Sequence, residues 1–346
     1  MRCFLSWVMA ALAMISFVLS PESAAAHNTS DYPLRPIRLI IGAPPCGEAD
    51  TLARLVAEYV GEDLGQPLII NYKPGAVNNI AGKEVARSKP DGYTLHLGSR
   101  PNTIHKVVYP AIDYDYARDL MPVGLVGTMT PILVAGMHTP INSVQNLVQI
   151  AKERPGELVC GSIGIGSTPH LICEILKAAW GVNLRHAPYQ GSAAAITGMV
   201  NGRIDVQITM LASALPYIET GKVRPLATLG AARLPALPDV PTLRELGMLG
   251  TDYRIWSGLL APAGTHPQIV ERLSRSLNAA LNNPRMVEAL SQNGIDPPPA
   301  PNSPAELATL IASETEFWTG VLRKHGIGPA QPGEGGTESD EPGGSG

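Results

Sequence analysis

The sequence predicts an α/β fold, with largely parallel strands covered by helices and enough chain for two domains. Three observations predict it. Short apolar runs such as Ile37–Ile41 and Leu158–Cys160 lack the alternation of a half-exposed strand and fit strands buried on both faces. Such runs alternate along the chain with turn residues and with segments whose apolar residues recur at helical spacing. The chain has 346 residues, 45% of them hydrophobic and only 16% charged, so two ordinary cores can form.

Taken in order, the N-terminus has the pattern of an export signal. Arg2 supplies the positive end, Phe4–Leu19 the apolar stretch, and Ala24-Ala25-Ala26 the small residues of a cleavage site. Cleavage near Ala26 would make residues 1–26 a signal peptide and send the mature chain to the periplasm. The apolar stretch is shorter than the roughly 20 residues a membrane helix needs.

The first strand, Ile37–Ile41, ends in the turn-rich Gly42-Ala43-Pro44-Pro45-Cys46-Gly47. Asp50 is then expected at a helix start, as N-cap or first-turn carboxylate, ahead of the apolar stripe Leu52, Leu55, Val56, Tyr59, Val60 and Leu64. Leu68–Asn71 is a second strand, Lys73-Pro74-Gly75 a turn, Asn79–Ser88 a short helix and Tyr93–Leu97 a third strand. The loop Gly98–His105 carries Ser99 and Arg100 and leads into a Tyr/Asp-rich irregular segment.

Strands are predicted at Val123–Val126 and Ile132–Ala135, followed by a helix that Ser143 caps. Next comes the segment Cys160-Gly161-Ser162-Ile163-Gly164-Ile165-Gly166-Ser167-Thr168-Pro169-His170, a strand end and glycine-rich loop opening into a helix. Thr168 is expected as N-cap with Pro169 at the first helical position. The glycines permit a sharp turn and close approach of a ligand, and the helix start favours an anion. Further strands fall at Leu184–Ala187, Val206–Thr209, Leu226–Leu229 and Trp256–Leu260, with helices at Ser192–Asn201, Ala212–Thr220 and Met286–Asn293. Thr265 is expected to cap a helix through Leu281. Ser303-Pro304-Ala305-Glu306 has capping-box spacing and opens a long last helix. The Gly/Pro/Glu/Ser-rich residues 328–346 lack periodicity and are expected to be a disordered tail.

Composition and motifs exclude several functions. A net charge of −4 and a pI near 6.1, without a basic run, argue against nucleic acid as partner. Gly161, Gly164 and Gly166 do not make G-x-G-x-x-G, and no Gly-Lys-Ser/Thr occurs, so nucleotide chemistry is not indicated. There is no G-x-S-x-G elbow; a hydrolase working through Ser167 or Cys46 is the alternative from another class. Cys46, Cys160 and Cys173 remain after processing and lack C-x-x-C spacing, so no metal or cofactor is expected. Cys160 and Cys173 are a candidate pair that leaves one cysteine over.

The remaining motifs resemble a known family. Pro36-Ile37-Arg38-Leu39-Ile40, Pro44-Pro45-x-Gly47-x-x-Asp50-x-Leu52-Ala53-Arg54, Lys73-Pro74-Gly75-Ala76 and Pro90-Asp91-Gly92-Tyr93-Thr94-Leu95 stand in its order. Gly166-Ser167-Thr168-Pro169-His170-Leu171, Pro188-Tyr189-x-Gly191, Leu237-Pro238-Asp239-Val240-Pro241-Thr242 and Gly258-Leu259-Leu260-Ala261-Pro262-Ala263-Gly264-Thr265 follow. The chain resembles the periplasmic solute receptors of tripartite tricarboxylate transporters, the Bug family, from about Tyr32 to Gly326.

The resemblance implies a two-lobed type II periplasmic-binding-protein fold with a ligand cleft between the lobes. Lobe 1 would comprise residues 32–126 and 254–327, and lobe 2 residues 127–253. The implied function is a non-catalytic, exported receptor that captures a small organic carboxylate and works as a monomer with the membrane permease subunits of a tripartite tricarboxylate transporter. A sensing receptor without its own transporter is the alternative within binding proteins. The implied ligand-binding residues are Pro45, Cys46, Gly47, Asp50, Ser99, Gly166, Ser167, Thr168 and Thr209, to which Arg100 is added by position. Three departures bear on specificity. The loop Gly42-Ala43-Pro44-Pro45-Cys46-Gly47 lacks the family's usual Phe and has Cys46 where Gly is usual. Ile208-Thr209-Met210 replaces a frequent Phe-Asp-Asn, which makes an amino-acid ligand less favoured. Arg100 stands where small or polar residues are usual, and its guanidinium could clamp the second carboxylate of a dicarboxylate.

Overall fold

The structure is a computed structural model that describes residues 31–45, 47–248, 253–324 and 328–329. The expected signal segment 1–26, Cys46 and the tail beyond residue 329 lie outside the described residues. No helix among the described residues is long and apolar enough to cross a membrane.

The strands form two sheets. The first contains β1 (Ile37–Ile41), β2 (Leu68–Tyr72), β3 (Thr94–Ser99), β4 (Leu120–Met129), β10 (Ile255–Pro262) and β11 (Ile295–Asp296), in the order β11-β4-β10-β3-β1-β2. The second contains β5 (Pro131–Gly136), β6 (Val159–Ser162), β7 (Arg185–Pro188), β8 (Val206–Met210) and β9 (Val223–Thr228), in the order β7-β6-β8-β5-β9. The helices are α1 (Glu48–Leu64), α2 (Asn79–Ala86), α3 (His105–Val108), α4 (Tyr116–Asp119), α5 (Val144–Glu153), α6 (Thr168–Trp180), α7 (Ser192–Val200), α8 (Leu211–Glu219), α9 (Pro267–Leu281), α10 (Pro284–Gln292) and α11 (Pro304–Lys324). A 3-10 turn, Arg100–Ile104, joins β3 to α3.

β1 shows why the apolar runs become inner strands. Ile37, Leu39, Ile40 and Ile41 are all buried, and the strand pairs in parallel with β2 (Ile37↔Leu68) and with β3 (Arg38↔Thr94). The expectation of largely parallel sheets is corrected where the chain passes between them. β10 runs antiparallel to β3 (Ser257↔Ser99) and to β4 (Ile255↔Met129), and β5 runs antiparallel to β8 and β9. β4 leaves the first sheet and β5 enters the second with only Thr130 between them, so neither strand can follow the right-handed crossover that makes neighbours parallel. The return passage is tied to the first through Leu229, whose own bond to Pro131 extends the β5–β9 ladder. The Leu229 amide donates to the Pro131 carbonyl at 2.9 Å, and the Tyr253 amide donates to Leu229 at 3.0 Å.

Helix ends also differ from the expectations by a residue or two. α1 begins at Glu48 with Gly47 as N-cap, so Asp50 sits inside the first turn. α6 is capped by Ser167, whose Oγ accepts from the His170 amide, which puts Thr168 first and Pro169 second in the helix. His266, not Thr265, caps α9; the Thr265 hydroxyl donates instead to the Pro262 carbonyl at 2.8 Å. The Ser303–Glu306 capping box forms as expected, with the Ser303 amide donating to Glu306 at 2.7 Å and the Glu306 amide to Ser303 Oγ at 3.3 Å. The segment read as irregular contains the short α3 and α4, and β11 was not expected at all.

α11 joins the two cores. Leu307 and Ile311 pack with Ile40, Val85 and Leu260 of the first sheet's side, whereas Trp318 and Leu322 belong to the cluster holding Leu133, Ile172, Leu176 and Ile208. Its 21 residues at about 1.5 Å each give a rod near 30 Å long, enough to reach both. A disulfide joins Cys160 at the start of β6 to Cys173 in α6, across a Cα separation of 6.9 Å.

His96 of β3 lies in the first core. The Ile40 carbonyl, 3.1 Å from Nδ1, can only accept, so Nδ1 carries the proton of the neutral ring. Burial pushes this imidazole down to about 4, from 6.5 in an exposed histidine. Below about pH 6.5 the unfolded chain therefore takes up a proton that the folded chain refuses, and stability falls as pH drops from 6.5 toward 4. Urea midpoints should fall less steeply over that window in His96→Leu than in the parent protein. Equal slopes would show that His96 does not contribute to the acid limb.

Candidate functional site

In open parallel sheets ligands collect beyond the carboxyl ends of the strands. The loops after β1, β2 and β3 from one sheet and after β6, β7 and β8 from the other meet at such ends. A Cβ placed on Gly191 would lie 3.5 Å from the Pro44 ring, and one on Gly164 would lie 3.6 Å from Val77. The Tyr109 hydroxyl donates to the Ile165 carbonyl at 2.7 Å, adding a direct hydrogen bond between the two sides.

The first side is braced by strained backbone and a buried amide network. Ala76, Val77 and Asn78 are successive left-handed residues, with φ of 44°, 49° and 72°. For β-branched Val77 that conformation is costly and persists only where surrounding bonds impose it. Here they do. Asn79 Nδ2 donates to the Ala76 carbonyl at 2.7 Å, and Asn78 Nδ2 donates to the Leu97 carbonyl at 3.2 Å and to Asn102 Oδ1 at 3.1 Å. Asn102 also accepts from the Ser99 amide and donates to Asn79 Oδ1, each at 3.0 Å; the Tyr114 hydroxyl donates to the same Asn79 oxygen at 2.9 Å. Gly42 at the end of β1 has no room for a side chain, since its Cβ would fall 2.3 Å from Asn78 Cα.

On the second side the glycine-rich loop uses much of its own donor capacity. The Gly164 amide donates to Ser162 Oγ at 3.1 Å, Gly166 to His170 Nδ1 at 3.0 Å, and Ser167 to the Gly164 carbonyl at 3.1 Å. With the His170 amide held by Ser167, four amides around the expected anion-favouring helix start are engaged inside the loop itself. His170 stacks on His186 with ring centroids 4.2 Å apart, and His186 Nε2 lies 2.7 Å from Ser162 Oγ. Burial, with His170 and Lys177 nearby, pushes the His186 imidazole down to about 3, so it stays neutral beside the loop.

The other expected site residues fall as follows. Gly47 caps α1 and Pro45 is exposed, while Cys46 lies outside the described residues. Asp50 is buried; its carboxylate accepts from the Tyr72 hydroxyl at 2.7 Å and from Arg54 Nε at 3.1 Å. That bond to Asp50 holds the Tyr72 hydroxyl above its usual range. Ser99 precedes the 3-10 turn. Gly166, Ser167 and Thr168 lie at the second-side loop, with Ser167 and Thr168 buried. Thr209 is buried in β8 opposite Ile132, and its Oγ1 has no hydrogen-bond partner among the described residues.

Arg100 is not the loop-surface arginine its position suggested. It is 1% exposed, with its guanidinium carbon 3.9 Å from the centroid of the Trp318 ring of α11. None of its three guanidinium nitrogens has a hydrogen-bond partner among the described residues. Burial lowers its pKa to about 9, with Glu314 opposing, so it remains charged at neutral pH. The aromatic face offsets part of the desolvation, by about 2 kcal/mol for a buried pair. Glu48, Ser192, Ser213, Tyr109 and Asn102 contribute contacts at this site that sequence reading missed. Only Ser192, at a predicted helix start, carried a local signal.

With this geometry in place, similarity to known proteins becomes informative. Residues 52–327 match the tripartite tricarboxylate transporter family receptor. The chain belongs to that family. It is 34% identical to protein BugT of Bordetella pertussis over 318 residues, covering 91% of this chain and 97% of that one. Among solved structures, Rpa4515 of R. palustris with adipate has a TM-score of 0.82 at 33% identity, covering 86% of this chain and all of that one. MatC of Rhodopseudomonas palustris with bound malate has a TM-score of 0.78 at 30% identity, covering 84% of this chain and all of that one. The periplasmic binding protein BugD has a TM-score of 0.80 at 30% identity, covering 86% of this chain and all of that one. The fold is therefore the two-lobed periplasmic-binding-protein fold, and the family is one of solute-binding receptors rather than enzymes.

The loop contact between lobes is tight at Gly166. Its φ is 77°, and a Cβ there would sit 2.6 Å from Val108 Cγ1. Gly181, also left-handed, has open space around it. Gly166→Ala should cost about 2–4 kcal/mol against about 1 kcal/mol for Gly181→Ala, because only the first adds overlap to backbone strain. Denaturant unfolding of both variants measures the difference, and equal costs would show that Val108 yields without penalty.

Proposed function

We propose that the protein is an exported receptor that captures a small organic carboxylate, with a dicarboxylate the favoured class, and hands it to the permease of a tripartite tricarboxylate transporter. The observation that carries the reading is the meeting of the Gly166-Ser167-Thr168 loop with the loops after β1 to β3, in a chain of this receptor family. The adipate and malate held by two similar structures support a dicarboxylate. In this reading lobe 1 carries residues 32–126 and 254–327, and lobe 2 residues 127–253. On this reading Pro45, Gly47, Asp50 and Ser99 serve the ligand from lobe 1 and Gly166, Ser167, Thr168 and Thr209 from lobe 2, with Asp50 acting through Tyr72 and Arg54; the implied ligand residue Cys46 lies outside the described residues. Closure follows from differential affinity, since a solute touching both lobes stabilises the closed state more than the open one. Catalysis is not part of this reading.

Calorimetric titration with malate, adipate and matched monocarboxylates tests it, and saturable binding of at least one acid is expected. If no member of the panel binds, the receptor reading fails. Arg100 is proposed as the second clamp because it follows β3 and is a charged, desolvated group whose nitrogens have no hydrogen-bond partner among the described residues. Arg100→Ala should weaken dicarboxylates more than monocarboxylates; equal losses would assign it to packing against Trp318 instead.

A further inference from the structure

Glu48 opens α1 in lobe 1, yet its carboxylate is bonded to lobe 2. Ser192 Oγ, at the first residue of α7, lies 3.2 Å from Oε1 and 3.1 Å from Oε2. Ser213 Oγ, in the first turn of α8, donates to Oε2 at 3.1 Å. A serine hydroxyl has a single proton, so the two Ser192 contacts amount to one shared bond. Both α7 and α8 begin at the carboxyl ends of lobe 2 strands, and their positive ends favour a carboxylate there. Hydroxyls and helix starts of this kind are the means by which a receptor lobe would hold a solute carboxylate. Here a side chain of the opposite lobe has taken them.

We infer that Glu48 is a tethered carboxylate that occupies the Ser192 and Ser213 hydroxyls, latching the lobes together and determining which solutes the cleft accepts. The latch depends only on the protein's own groups; the specificity role rests on the receptor reading above. A solute carboxylate directed to these hydroxyls must displace Glu48, and one bound beside it must face its charge. Either way a dianion is penalised more than a monoanion. Glu48 thus narrows the dicarboxylate class to acids whose second carboxylate can be held away from α7 and α8.

Two measurements on the full chain test this. Small-angle X-ray scattering without added solute should give a larger radius of gyration for Glu48→Ala than for the parent protein. The double variant Ser192→Ala/Ser213→Ala, altered in the other lobe, should expand in the same way. If either variant scatters like the parent, the latch is wrong. Calorimetry with malate and adipate, against matched monocarboxylates, should show Glu48→Gln favouring the dicarboxylates by about tenfold more than the parent does. An unchanged ratio overturns the specificity role. If no protein binds any acid while Glu48→Ala still expands, the receptor reading fails and the latch stands.

Discussion

The hydrogen bond from the Leu229 amide to the Pro131 carbonyl marks the constraint on which the architecture depends. It extends the β5–β9 ladder by one rung, and the Leu229 carbonyl accepts from the Tyr253 amide, so the chain about to enter β10 is held to the chain that has just left β4. β4 becomes β5 through Thr130 alone, so the outgoing passage has almost no slack. A Cβ on Gly230 would fall 2.8 Å from Thr130 Cγ2, so the chain leaving β9 also lies close against the linker residue. Crossings joined in this way restrict sliding of one sheet past the other more than bending between them.

Two other features act on the same hinge. α11 packs its first half on one core and its second half on the other, with the Arg100 guanidinium stacked on Trp318 near the join. Any opening of the lobes must therefore be accommodated around this helix. Where the strand-end loops meet, the restraint is both polar and apolar: Glu48 bonds Ser192 and Ser213, Tyr109 bonds the Ile165 carbonyl, and Val108 packs against Gly166.

Most of the elements were legible in local sequence. Ile37–Ile41 reads as a buried strand because unbroken apolar residues need cover on both faces, and the Ser303–Glu306 box reads as a helix start because both groups act within one turn. Helix starts moved by a residue or two at α1, α6 and α9 because Gly47, Ser167 and His266 cap as well as the residues expected to do so. The site was only partly legible. Ser167 and Thr168 announce a helix start beside glycines, but the engagement of the Gly164 and Gly166 amides with Ser162 and His170 depends on where those side chains fold back. Arg100 reads as a loop arginine, and nothing within its own segment shows that Trp318, more than two hundred residues later, will cover it.

The sequence by itself determined the alternation of strands and helices, the anion-favouring helix start after β6 and the family, since each is carried by residues within a few positions of one another. The tertiary structure alone decided the direction of β5 and β10, the burial of Arg100 and the reach of Glu48 to Ser192 and Ser213. The Glu48 contacts join side chains 144 and 165 residues apart, the Arg100 stack joins still more distant ones, and the strand directions follow from the chain's path between sheets; no local pattern encodes any of these.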